Sequence, residues 1–139
     1  MRILGIDYGE SKVGLAITDP LGITSQGLET VMHKGNDKIL LKKLDEIIAQ
    51  YEISTIVVGM PYSLNGGKTQ RTEATEKFVH KLKCKYNKIN IETSDERLTT
   101  VAANKTLNYL GVSKFKKKSI EDTIAAVYIL ETYINKRKI

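Results

Sequence analysis

Asp7, Glu96 and Asp122 are the side chains of this sequence with the most chemistry to offer. Asp7 closes an apolar run, Glu96 follows another, and Asp122 stands among small apolar residues. Cleaving a phosphodiester requires charge on the phosphate to be offset and a water to be activated. Two divalent ions about 3.5–4 Å apart do both. Mg²⁺ and Mn²⁺ prefer carboxylate oxygens and take only one or two carboxylates each, with waters and substrate phosphate completing the shell. Such a site needs about three acids delivered by different elements.

Each acid also has an ordinary explanation. An acid at the end of a buried strand is costly unless it is exposed, paired or metal-bound. Asp7 has Gly9 and Gly14 nearby, which let backbone approach a ligand. It could equally bond the backbone of a first hairpin as an Asx-turn. Glu96 ends Thr93-Ser94-Asp95-Glu96, the spacing of a capping box, and Asp95 is a further ligand candidate beside it. Ser119 and Asp122 repeat the box spacing. Against that, Asp122 shares a helical face with Ala125, Ala126 and Ile129. That small, apolar face should pack closely on a sheet and point Asp122 at protein. Spacing alone leaves caps and ligands both open.

Two basic segments accompany the acids. Gly59 to Gly67 is glycine-rich and leads into a helix headed by Lys68 and Arg71. Backbone amides and a helix N-terminus could cradle phosphate there. The spacing is not that of a P-loop, and a plain connecting loop is the simpler alternative. Lys114, Lys116, Lys117 and Lys118 surround Phe115 in what reads as a basic loop. It would grip a nucleic-acid backbone and stack a base, or else be merely solvated. The net charge of +6 agrees with an anionic partner.

The elements that must position these groups follow from hydrophobic period. Strands are expected from Arg2 to Asp7, from Lys12 to Asp19 and from Ile23 to Val31, joined as an antiparallel meander. Asp37 to Tyr51 predicts a helix, with Leu40, Leu44, Ile47, Ile48 and Tyr51 on one face. A β-branched strand at Thr55 to Val58, a helix from Thr69 to Cys84 and a strand from Ile89 to Thr93 follow. A helix from Arg97 to Leu110 should stop at Gly111, and the last helix is expected from Ile120 to Asn135. The order βββαβαβαα implies one α/β domain over residues 1–139, its mixed five-stranded sheet covered by helices on both faces.

Cys84 is the sole cysteine, so no internal disulfide can form. With no signal-like leader, this points to a reducing, cytoplasmic setting. Cys84 sits between Lys83 and Lys85, and His33 and His80 are the only histidines, so a catalytic thiol is not expected. No apolar run approaches the roughly 20 residues of a membrane span.

Together the segments resemble the YqgF family of pre-16S rRNA nucleases, earlier described as Holliday junction resolvases. GIDYGESKVGLAITD is similar to its first motif, GMPYSLNGGKTQR to its Gly-x-Pro loop, SDERLTTVAA to its most specific segment and EDTIAAVYILETY to its closing helix. The four occur in order along nearly the whole chain. The resemblance implies an RNase H-like fold and a metal site of Asp7, Glu96 and Asp122, the last rather than Glu121. It implies Mg²⁺ or Mn²⁺, with two ions, and trimming of the 5′ end of 16S rRNA precursor. Arg97 and the 114–118 lysines would hold the backbone. Tyr62-Ser63-Leu64 departs from the less aromatic run expected in the loop.

Three rivals stand beside that reading. A DNA junction resolvase needs the same acids, and symmetric junction cutting calls for a dimer. Actin-like ATPase folds also begin with an Asp-x-Gly turn but need a second domain, for which 139 residues leave no room. A non-catalytic RNA-binding assembly factor would keep the basic surface without using the acids.

Overall fold

The computed structural model describes residues 2–63, 65–95 and 114–137, with side chains of the last segment described for 123–136. The strands are β1 (Arg2–Tyr8), β2 (Lys12–Thr18), β3 (Ser25–Met32), β4 (Ile53–Met60) and β5 (Asn90–Asp95). The helices among the described residues are α1 (Asp37–Tyr51), α2 (Gln70–Lys85) and α3 (Lys114–Arg137). The sheet order is β3-β2-β1-β4-β5. β1–β2 and β2–β3 pair antiparallel, whereas β1–β4 and β4–β5 are parallel. The expected mixed sheet is therefore present.

β1 and β2 are buried through their interiors because helices cover both faces. On one face Leu4, Ile6, Leu15 and Ile56 pack with Leu40, Leu44, Phe78 and Leu82 of α1 and α2. On the other, Ile3, Ala16 and Val57 pack with Ala126, Ile129 and Leu130 of α3. Gly5 lets α3 approach: a Cβ there would lie 2.6 Å from Leu130 Cγ and 3.0 Å from the Ala126 carbonyl oxygen.

Local capping sets the helix starts. The Asn36 side chain accepts from the Lys38 amide, at 3.1 Å, and α1 begins at Asp37 as the sequence predicts. Thr69 caps α2 from outside, with Thr69 and Thr72 exchanging side-chain and backbone bonds. The Asp19 carboxylate accepts from the Ile23 and Thr24 amides and closes the β2–β3 turn.

Two expectations are corrected. Lys114 to Lys118 is not a loop but the first turns of α3, which begins six residues before Ile120. Lysine is a good helix former, and neither Gly nor Pro interrupts 114–137, so charge alone gave no reason to stop. β3 begins at Ser25 rather than Ile23, since Ile23 and Thr24 are taken up by the turn. The helix expected from Arg97 to Leu110, and its stop at Gly111, lie outside the described residues.

Candidate active site at the sheet edge

Successive side chains of a strand point to opposite faces. In β1, Tyr8 packs on the α1/α2 side and Asp7 faces the α3 side, like Ile3 and Gly5. Asp7 lies at the C-terminal edge of the parallel strands, the same edge at which β4 ends in Met60 and β5 in Asp95. Gly14 is its partner on β2. On β4 the next position in line is Gly59, aligned in turn with the buried Ser94 of β5. Small residues therefore flank the carboxylate on either side.

Asp7 is buried, with 9% of its surface exposed. A buried carboxylate requires a compensating cation or hydrogen-bond donors. Arg71 of α2 supplies positive charge: its Nη2 lies 3.3 Å from Asp7 Oδ1 and donates toward the Tyr8 carbonyl at 3.5 Å. Asp7 is thus tied to a side chain from 64 residues away.

α3 brings a second acid position to this edge. Thr123 Oγ1 is 3.1 Å from Thr30 Oγ1. Thr30, Gly14 and Asp7 lie in one row across β3, β2 and β1. The backbone of Asp122 thus stands at the level of Asp7, one helical turn before Ala126. The cap explanation for Asp122 fails, because Ser119 and Asp122 are the sixth and ninth residues of α3 rather than its start. Thr93 also fails as a cap for Glu96. Ser94 and Asp95 would have to be the first helical residues, yet both belong to β5. Glu96 and Arg97 lie outside the described residues. Among the described residues no group of three acidic, His or Cys side chains forms a metal cluster.

The basic candidates separate. Lys68 is paired with Glu76 at 3.0 Å, which raises the lysine's proton affinity. Arg71 is at Asp7. Lys114, Lys116, Lys117 and Lys118 occupy the first turns of α3, where no acid is present. The 61–69 loop spends amides internally: Ser63 on the Gly67 carbonyl, Gly66 on the Ser63 carbonyl and Gly67 on Asn65 Oδ1. Those three amides are not turned toward a phosphate. Cys84 is exposed on α2, one turn from His80, with Sγ 3.6 Å from Nε2.

One group near the edge gave no sequence signal. His33 is buried, its Nε2 bonded to the Gly9 carbonyl at 2.7 Å and its Nδ1 3.6 Å from Asp37 Oδ1. Asp37 accepts from the Tyr8 hydroxyl at 2.7 Å and from Lys81 at 2.9 Å. Burial, then the bond to Asp37 and its charge, push the Tyr8 phenol well above the usual range, so it remains a donor. Tyr8 also stacks on Phe78 with centroids 4.2 Å apart. This network ties the β1–β2 turn to both helices and holds the strand end carrying Asp7. Only contact across distant segments reveals it.

A family model described as RuvX, Holliday junction resolvase, matches residues 1–136. The chain belongs to the RuvX family. Curated relatives match over nearly their full length. A protein of Ruminiclostridium cellulolyticum is 49% identical over 136 residues, covering 98% of this chain and 95% of the relative. One of Acetivibrio thermocellus is 44% identical over 137 residues, covering 99% and 97%. Both carry the name "Putative pre-16S rRNA nuclease". Among solved structures, this RuvX-family chain is similar to a fowlpox virus resolvase in complex with Holliday junction DNA. The TM-score is 0.61 at 12% identity, covering 99% of each chain. Thermus thermophilus RuvC with a Holliday junction gives 0.57 at 13%, covering 99% and 96%. At those identities the likeness establishes the RNase H-like fold of the RuvX-family chain and nothing finer.

Proposed function

We propose that this RuvX-family protein is a divalent-metal-dependent nuclease that trims the 5′ end of 16S rRNA precursor in the cytoplasm. The observation that carries the reading is the buried Asp7 carboxylate at the parallel sheet edge, at the level where α3 carries Asp122. The relatives' name supplies the substrate class.

The residues fit Mg²⁺ or Mn²⁺. The proposed donors, Asp7, Glu96 and Asp122, are hard carboxylates, and the one described in full is buried beside a cation. Bound there, a pair of such ions would activate water and offset charge on the phosphate. The chain's own part is to hold the acids and grip the substrate. Lys114, Lys116, Lys117 and Lys118, in the first turns of α3, would offer positive charge to an RNA phosphate. Arg71 and Arg97 would hold the backbone beside the acids, and Lys68 would do so once released from Glu76. The exposed free thiol of Cys84 agrees with a reducing compartment. No described helix is long and apolar enough to cross a membrane.

The test is cleavage by purified protein, with and without Mg²⁺ or Mn²⁺, of a precursor rRNA end and of a four-way DNA junction. The expected result is metal-dependent cleavage of the RNA, lost in Asp7→Asn and unchanged in Cys84→Ser. Cutting of the junction alone would make the protein a resolvase. Binding without cutting of either substrate would make it an assembly factor.

A further inference from the structure

Arg71 is mounted rigidly but reaches loosely. The Thr69–Thr72 cap fixes the first turn of α2, Thr72 Oγ1 donates to the Pro61 carbonyl at 2.7 Å, and Thr75 Oγ1 donates to the Arg71 carbonyl at 2.8 Å. The Arg71 backbone is thereby tied to the turn that follows β4. Its side chain is 52% exposed and reaches over the strand ends from the α2 side to Asp7 on the opposite face. The contact at 3.3 Å is longer than the about 2.7–2.9 Å of a tight charge-assisted bond.

A buried carboxylate needs a cation or hydrogen-bond donors, and Arg71 is a cation at Asp7, but two cations at one carboxylate repel each other. A divalent ion ligated by Asp7 and a guanidinium bonded to Asp7 therefore compete. A displaced arginine retains its planar fork of donors, which suits a phosphate. A phosphate that draws Arg71 away equally opens Asp7. Building on the carboxylate site proposed above, we infer that Arg71 is a positioning residue that occupies the Asp7 carboxylate in the free protein and yields it when a nucleic-acid phosphate arrives. Metal binding and substrate binding then strengthen each other, and by linkage they do so by the same factor. The free protein would load metal poorly and the substrate complex would load it well.

The experiment measures Mn²⁺ affinity of the full chain from the free-ion electron paramagnetic resonance signal. It is run with and without an RNA hairpin carrying phosphorothioate linkages to resist cleavage, and gels confirm that the hairpin stays intact. Arg71→Ala and Arg71→Gln should each bind Mn²⁺ roughly tenfold more tightly than wild type without RNA, within the usual size of such couplings. Lys85→Ala removes one positive charge from the far end of α2, where Lys85 pairs with Asp45, and should leave affinity unchanged. Adding the hairpin should tighten Mn²⁺ binding about tenfold in wild type and hardly at all in the Arg71 variants. Equal or weaker Mn²⁺ binding by both folded Arg71 variants overturns the inference, as does equal tightening by the hairpin in all proteins. Asp7→Asn separates the two proposals. If it binds Mn²⁺ as wild type does, the carboxylate site itself is wrong and the inference goes with it.

Discussion

Substituting Gly5 by Ala tests the contact that seats α3 over β1. The new methyl would stand 2.6 Å from Leu130 Cγ and 3.0 Å from the Ala126 carbonyl oxygen. The first is a branch point close to the main chain and the second is the main chain itself. Neither can swing aside, so helix and strand must part. Ordinary contact begins at 3.4 Å, which puts the required opening at about 0.8 Å. Overpacking of this kind costs about 1–3 kcal/mol. In a chain of this length that lowers the melting temperature by about 4–12 °C. Leu130→Ala alone should cost about 2–5 kcal/mol through the cavity it leaves. It also removes the atom that clashes, so the double variant should be more stable than the sum of singles by about 1–3 kcal/mol. Urea denaturation of the four proteins gives this coupling directly. The same opening carries α3, and Asp122 with it, away from Asp7. A misplacement of about 1 Å can cost about 10²-fold in rate. Turnover of Gly5→Ala at 25 °C, where it remains folded, should fall by up to that factor. A cost below about 0.5 kcal/mol with additive behaviour, the scatter usual for independent sites, would mean that α3 does not sit where this close approach puts it.

The remaining expectations are brief. Glu96→Gln and Asp122→Asn should melt near wild type yet lose nuclease activity by several orders of magnitude, because an amide lacks the anionic oxygen that a hard ion requires; retention of turnover in either would remove that residue from the site, leaving Asp95 or Glu121 to test. Replacing Lys114, Lys116, Lys117 and Lys118 by Ala should weaken RNA binding without regard to sequence, each lost phosphate contact flattening the log affinity against log salt slope by about 0.7–0.9; an unchanged slope would return these lysines to solvent. Bonds from the Ile23 amide, then the Thr24 amide, hold the Asp19 carboxyl below its ordinary pKa. Its contribution to stability is therefore present above the ordinary aspartate range and is lost as pH falls through the lowered folded value. Asp19→Asn keeps an acceptor but cannot titrate, so its urea midpoint relative to wild type should rise from pH 7 to pH 3. A constant difference would contradict the assignment.

How much of this was legible in the sequence depends on range. The apolar run stopped by Asp7 announced a buried strand ending in a costly acid. The five-residue apolar face of α1 predicted that helix to the residue. Signals within a few residues of one another could be weighed but not decided. The capping-box spacings at Thr93 and Ser119 were real spacings, and only the observed strand and helix boundaries exclude them. The head of α3 was misread because lysines show charge and no apolar period, although their helix propensity is good. Contacts across long separations left no trace. The Asp7–Arg71 pair spans 64 residues, and nothing local marks Gly5 as the place where Leu130 comes close.

The alternation along the end of β1 ties two fates together. Asp7 and Tyr8 are neighbours in the chain but belong to different sides of the sheet. One residue inserted or deleted ahead of them in this strand would put each on the other face. An insertion would put the carboxylate in the space beside Phe78, and a deletion would put the phenol in the place beside Arg71. The stacked ring and the Asp37 bond would be lost along with the acid. A chain with this strand out of register is therefore unstable as well as chemically blank. Quality control that reads only foldedness would remove it, so at this position a screen for stable protein also enriches for an acid in the correct place.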